Sequence, residues 1–130
     1  MDQKKKQVWI VDDDDDMAYA IKLMLQLLDC ETRHFRHARL AATQLLDGKQ
    51  PDLMVLDVNM PEVTGIMMLE FVRRRNEWKD LPIIMLSSEA TDVQIVEALN
   101  LGADAYVTKP VSIEELETAI QTAFKNHGKM

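Results

Sequence analysis

Leu53-Met54-Val55-Leu56-Asp57-Val58-Asn59-Met60-Pro61 is the stretch on which the reading of this chain turns. A short apolar run ends abruptly in a carboxylate. Such a run predicts a strand buried on both faces, as in a parallel sheet. Asp57 then stands at the strand's carboxyl end, where open α/β sheets keep their chemistry. Pro61 removes a backbone donor and Gly65 permits positive φ, so a loop is expected next. A carboxylate held there on a rigid base is free to act as a nucleophile. From these residues alone, capping of the following helix accounts for Asp57 equally well.

Working outward, the same alternation repeats. Gln7-Val8-Trp9-Ile10-Val11 predicts a first strand, and it runs into Asp12-Asp13-Asp14-Asp15-Asp16. Met17, Ala20, Ile21, Met24, Leu25, Leu27 and Leu28 recur at helical spacing, with one of the later aspartates as N-cap. Glu31 to Arg36 reads as a polar strand at a sheet edge. Ala38 to Leu46 is a second helix, with Leu40, Ala41, Leu45 and Leu46 in its pattern, stopped by Gly48 and Pro51. Past the central strand, Thr64 to about Asn76 predicts a third helix. The charged connection Arg73-Arg74-Arg75-Asn76-Glu77-Trp78-Lys79-Asp80 reads as a solvated helix end rather than a phosphate patch. Leu81 to Leu86 is another doubly buried strand, ending in Ser87-Ser88. A fourth helix spans Asp92 to Leu101, closed by Gly102. Ala105 to Thr108 is a fifth strand, and a fifth helix starts at Ser112 with Glu115 completing a capping box. Its stripe is Ile113, Leu116, Ile120, Ala123 and Phe124. Strand and helix alternate five times, which predicts an α/β, doubly wound (βα)5 domain. Its five-stranded parallel sheet takes the flavodoxin-like order 2-1-3-4-5. Residues 1–130 are read as one domain.

The bulk properties agree. The chain has 130 residues, 47% hydrophobic and 28% charged, as in a soluble globular domain. A net charge of −7 argues against a general nucleic-acid binder, since phosphate contacts need a basic face. No apolar run has the length of a membrane span, and the basic start, Met1 to Gln7, is not followed by a signal-peptide core. The single cysteine, Cys30, suits a reducing cytoplasm and reads as a small buried hydrophobe. The nine methionines read as core filler, and Trp9 and Trp78 as packing residues. His34, His37 and His127 show no convergent partners and are expected at the surface.

The strands' carboxyl ends offer Asp12 and Asp13, Asp57, Ser87 and Ser88, and Lys109. In a parallel sheet these ends face one way and can converge on one pocket. Three carboxylates close together at neutral pH require a cation or raised pKa values. Hard oxygen ligands with room for water suit Mg²⁺. With a lysine as second positive charge and a hydroxyl for a phosphoryl oxygen, this is equipment for phosphoryl transfer to a carboxylate.

At this point the chain resembles the receiver domains of two-component response regulators, and most of all the single-domain chemotaxis type. The matching pieces are Val11-Asp12-Asp13, Leu56 to Pro61 with Gly65, Leu86 to Ala90, Gly102-Ala103-Asp104-Ala105-Tyr106 and Thr108-Lys109-Pro110. The resemblance implies that Asp57 accepts a phosphoryl group from a sensor histidine kinase or a phosphotransfer protein. It implies Mg²⁺, or Mn²⁺ in its place, on Asp12, Asp13, Asp57 and the backbone carbonyl of Asn59. Ser87 and Lys109 would hold phosphoryl oxygens, and Tyr106 would turn inward when Ser87 moves. Asn59 and Glu89 would tune the phosphate's lifetime, and the Lys109–Pro110 peptide would be cis. Ser87 stands where threonine is more frequent, and Thr64 where an acid often precedes the glycine. The implied protein is regulatory rather than enzymatic, apart from its own phosphorylation and dephosphorylation. Its output would run through the face of the fourth helix, fifth strand and fifth helix, to a downstream protein or a second copy. On that helix, Ile95 lies off the stripe of Val93, Val96 and Leu99 and is expected to be exposed with Tyr106 on the partner face.

Other readings are weaker. A phosphatase of the haloacid dehalogenase type wants a second aspartate at Asn59. A flavin site wants a phosphate-cradling loop where Asp12 to Asp16 stand. For Asp14, Asp15 and Asp16, capping and solubility suffice.

Overall fold

The computed structural model describes residues 4–89 and 91–129. Met1–Gln3 and Ala90, which the basic start and the fourth-strand motif include, lie outside them. The chain runs β1 (Lys6–Val11), α1 (Asp15–Leu27), β2 (Cys30–Phe35), α2 (Ala38–Leu46), β3 (Leu53–Asp57), α3 (Gly65–Arg73). A 3₁₀ turn (Asn76–Trp78) leads to β4 (Ile83–Ser87), α4 (Asp92–Asn100), β5 (Ala105–Thr108) and α5 (Ile113–Asn126). All pairings are parallel and the order is β2-β1-β3-β4-β5, as expected, with the polar strand β2 at an edge.

The unbroken apolar runs have a simple cause: the sheet is covered on both faces. Val8, Ile10, Leu53, Val55, Ile84 and Leu86 pack with Ile21, Leu25, Leu116 and Phe124 of α1 and α5. Their neighbours Trp9, Val11, Met54, Leu56, Ile83 and Met85 point the other way, against α2, α3 and Ala98 of α4. Alternate residues of one strand thus serve two cores. Trp9, Trp78 and Cys30 are buried, as read, and so are Met54, Met60, Met68 and Met85, whereas Met67 is exposed.

The helix starts follow their caps. Asp14 accepts from the N–H groups of Asp16 and Met17 and begins α1. Thr64, in place of an acid, caps α3 by accepting from Met67. At α5, Ser112 accepts the Glu115 N–H, but Glu115 returns to the Ser112 hydroxyl, not to its backbone. The complete capping box stands instead at α4, between Thr91 and Gln94.

Several expected faces are corrected. Leu27, Leu40 and Leu46 are exposed, and the small residues Ala18 and Ala38 take inner positions. On α4 the assignment inverts: Val93, Val96 and Leu99 are 77%, 55% and 43% exposed, while Ile95 is half-buried and Ala98 fully buried. A nine-residue helix with apolar residues on two sides has no orientation that periodicity alone can choose, and alanine allows the closest approach to the sheet. The arginine run is also not uniformly solvated. Arg73 is nearly buried, ion-paired with Asp104 at 3.2 Å and donating to the carbonyls of Gly102, Trp78 and Lys79. Arg75 lies over the Trp78 ring.

Candidate functional site

The carboxyl ends of β1, β3 and β5 bring Asp12, Asp13, Asp57 and Lys109 together. One carboxylate oxygen from each aspartate lies within 4.8 Å of the others. Lys109 Nζ stands 3.3 Å from Asp57 Oδ1 and 3.5 Å from Asp12 Oδ2. Asp12 and Asp57 are buried, Asp13 half-buried. Lys109 is reached through a cis peptide to Pro110, as implied.

Burial, and then the charge of Asp12, push Asp57 up to about 6; the Lys109 ammonium and the Asn59 N–H pull the other way. One lysine therefore does not neutralise the cluster. Asp12 Oδ1 accepts the Asp14 N–H at 2.9 Å, but Asp12 Oδ2 is buried and accepts no hydrogen bond among the described residues. Its one cation is the Lys109 ammonium at 3.5 Å, which Asp57 shares, so this buried oxygen is left short of positive charge. The donor set is entirely hard oxygen, beside an exposed mouth, and fits Mg²⁺. Asn59 is exposed, and its N–H lies 3.4 Å from Asp57 Oδ1, so its carbonyl belongs to the same loop.

Ser87, Glu89 and Tyr106 form a chain next to this cluster. The buried Ser87 Oγ accepts the Glu89 N–H at 3.0 Å. Among the described residues its own proton has no acceptor, and it is free for a ligand oxygen. Tyr106 is half-buried, and its hydroxyl donates to the Glu89 carbonyl at 2.9 Å. Glu89 thus links Ser87 and Tyr106 through its backbone, while its side chain is exposed. Ile95 is half-buried, whereas the exposed apolar residues of α4 are Val93, Val96 and Leu99.

Three local roles were not legible in the sequence. Gly65 does not need positive φ; glycine is needed because a Cβ there would overlap the Asp57 carbonyl oxygen. The start of α3 thereby closes down on the peptide of Asp57, with Gly65 N–H donating to the Val58 carbonyl at 3.0 Å. His34, expected without a partner, has its Nε2 2.7 Å from the Asp12 carbonyl oxygen. His34 is exposed, as expected, but His127 is half-buried and meets Asp104 at 2.9 Å. Nothing in the sequence marks these pairs, since β2 register and the end of α5 create them.

Comparison with known proteins agrees with this geometry. The response regulator receiver domain family matches residues 8–121. Chemotaxis protein CheY-3 of Vibrio cholerae is 32% identical over 122 residues, 94% of either chain. The phosphate regulon transcriptional regulatory protein PhoB of Pseudomonas aeruginosa is 31% identical over 123 residues, 95% of this chain and 53% of its own. The chain spans only 34% and 53% of the length of two transcriptional regulators it matches. Among solved structures, a putative response regulator from Chloroflexus aurantiacus superposes with a TM-score of 0.87 at 29% identity, covering 94% of this chain and 99% of that one. With the fold, the acidic cluster and these matches in agreement, the chain belongs to the response regulator receiver domains of two-component signal transduction.

Proposed function

We propose that Asp57 is the phosphoryl acceptor of this receiver domain and that residues 1–130 act as one switch. The observation that carries the reading is the buried Asp57 carboxylate flanked by Asp12, Asp13 and Lys109. In the transfer an Asp57 oxygen forms a bond to phosphorus as the phosphorus–nitrogen bond of a sensor kinase's phosphohistidine, or of a phosphotransfer protein's, breaks. The electron pair of that bond leaves with the imidazole. Lys109, already bonded to Asp57, is in reach of a phosphoryl oxygen, and Ser87 has a free proton for another. Mg²⁺, or Mn²⁺, held by Asp12, Asp13, Asp57 and the Asn59 carbonyl, supplies positive charge against the transferred group. Small phosphodonors serve as well. Attack of water on phosphorus then breaks the Asp57 oxygen–phosphorus bond, returning the carboxylate and releasing inorganic phosphate, with the exposed Asn59 and Glu89 side chains at the mouth tuning its rate.

The response is a population shift. A Ser87 hydroxyl drawn to a phosphoryl oxygen alters its hold on the Glu89 N–H, and Glu89 is also the acceptor for Tyr106. The face of α4, β5 and α5 reports the change to a downstream protein or a second copy. Its exposed apolar contacts on α4 are Val93, Val96 and Leu99 rather than Ile95. The location is cytoplasmic; no helix among the described residues is long and apolar enough to cross a membrane.

Intact mass after incubation with acetyl phosphate, with and without Mg²⁺, tests the reading. One metal-dependent, base-labile phosphate on the wild type and none on Asp57→Asn is the expected result. A phosphate that persists in Asp57→Asn, or none on the wild type, overturns the assignment.

A further inference from the structure

We propose that His34 is a positioning residue for the acidic pair: its ring N–H fixes the Asp12–Asp13 peptide and so sets both carboxylates for a divalent cation. The inference rests on the reading of Asp12 and Asp13 as the cation pair. The acceptor at 2.7 Å is a carbonyl oxygen, which has no proton to give, so Nε2 carries the hydrogen. The neutral ring in that tautomer suffices.

The bond falls where the sheet stops helping. The β1–β2 ladder ends with Val11 opposite Phe35, and one more backbone bond follows, from Asp12 N–H to the Phe35 carbonyl at 3.0 Å. Beyond it the Asp12 carbonyl receives no backbone donor among the described residues. His34, one residue before Phe35, reaches across with its side chain and supplies the donor. Besides its ion pair with Lys109, Asp12 is then held by three hydrogen bonds: its N–H by Phe35, its carbonyl by His34 and its Oδ1 by Asp14. Asp13 is different. Among the described residues its carboxylate makes no hydrogen bond and no ion pair. Its place in the cluster depends on its backbone, and the plane of the Asp12–Asp13 peptide is what the His34 bond fixes. A residue that orients metal ligands without touching the metal typically changes affinity by 10–100-fold when removed. His34 is itself exposed, so its removal should leave the fold intact.

The test compares wild type, His34→Ala, His34→Gln and Asp13→Asn. Mg²⁺ affinity is read by titration calorimetry, and melting temperature is read in the absence of Mg²⁺. We expect His34→Ala to bind Mg²⁺ on the order of tenfold more weakly, with unchanged metal-free melting. His34→Gln, which keeps an N–H donor, should recover part of the affinity, and the Asp13 amide resonance should move in His34→Ala more than in His34→Gln. Affinity of His34→Ala within about twofold of wild type overturns the proposal. So does a joint fall of affinity and metal-free melting that glutamine does not rescue, since that marks a merely structural contact. A wild type that binds no Mg²⁺, or an Asp13→Asn variant that binds it equally well, removes the cation-pair reading and this inference with it.

Discussion

In the role proposed for it, Asp57 combines two demands that conflict: it must be buried to be held rigidly, and ionised to attack. Its folded value of about 6 lies above the ordinary 3.8, so the folded protein binds this proton more tightly than the unfolded chain does. The stabilising contribution is full below about pH 4 and is lost as the pH rises through about 6. Asp57→Asn, which is neutral throughout, should therefore be more stable than wild type by about 3 kcal/mol at pH 8 without Mg²⁺. The gap should close near pH 4, where both side chains are neutral. Urea denaturation at the two pH values checks this, and a gap independent of pH would contradict the burial argument. The aspartates that matter were readable as residues, because they end apolar runs. Their separation from Asp14, which only caps α1, was readable from helix chemistry.

Two elements show where periodicity stops being informative. The start of α3 is dictated by contact, not by the helix's own preference: a methyl at position 65 meets the carbonyl oxygen of Asp57. Gly65→Ala should cost about 3 kcal/mol, at the upper end for overpacking because the obstacle is backbone. It should also slow acetyl-phosphate labelling by displacing Asp57, which denaturant titration and intact mass would measure separately. On α4 the outward apolar residues are Val93, Val96 and Leu99. Val93→Asp should change stability by no more than about 0.5 kcal/mol, as for an exposed site. Ile95→Asp, on the half-buried side, should cost about 1–2 kcal/mol, since a charge loses water there. Thermal melts of the two variants decide between the orientation found and its opposite. The existence of both helices was legible from spacing and caps. Which face each turns inward was not, since that depends on what the sheet presents.

At the scale of the molecule, the end of the sheet opposite the acidic cluster has its own charged centre. Asp104 Oδ2 accepts the Ile83 N–H at 2.8 Å and pairs with Arg73, while Oδ1 accepts from Asn126 and His127. One carboxylate thereby joins α3, β4, β5 and the last turn of α5. Burial lowers the Arg73 pKa and the Asp104 charge counters it. Asp104→Ala leaves that guanidinium without its partner and should cost roughly 3 kcal/mol, measured by urea denaturation, with Mg²⁺ affinity little changed because the cluster lies at the other end. The five strand–helix units, the parallel sheet and the residues at the strands' carboxyl ends could be read from residue order alone. Those follow from uniform apolar runs and from caps, which are local. Only the tertiary structure decided that His34 meets Asp12, that Arg73 and His127 meet Asp104, and that α4 presents Val93 and Val96 outward. These contacts join residues distant in the chain, and a one-dimensional pattern does not encode the register and rotation that bring them together.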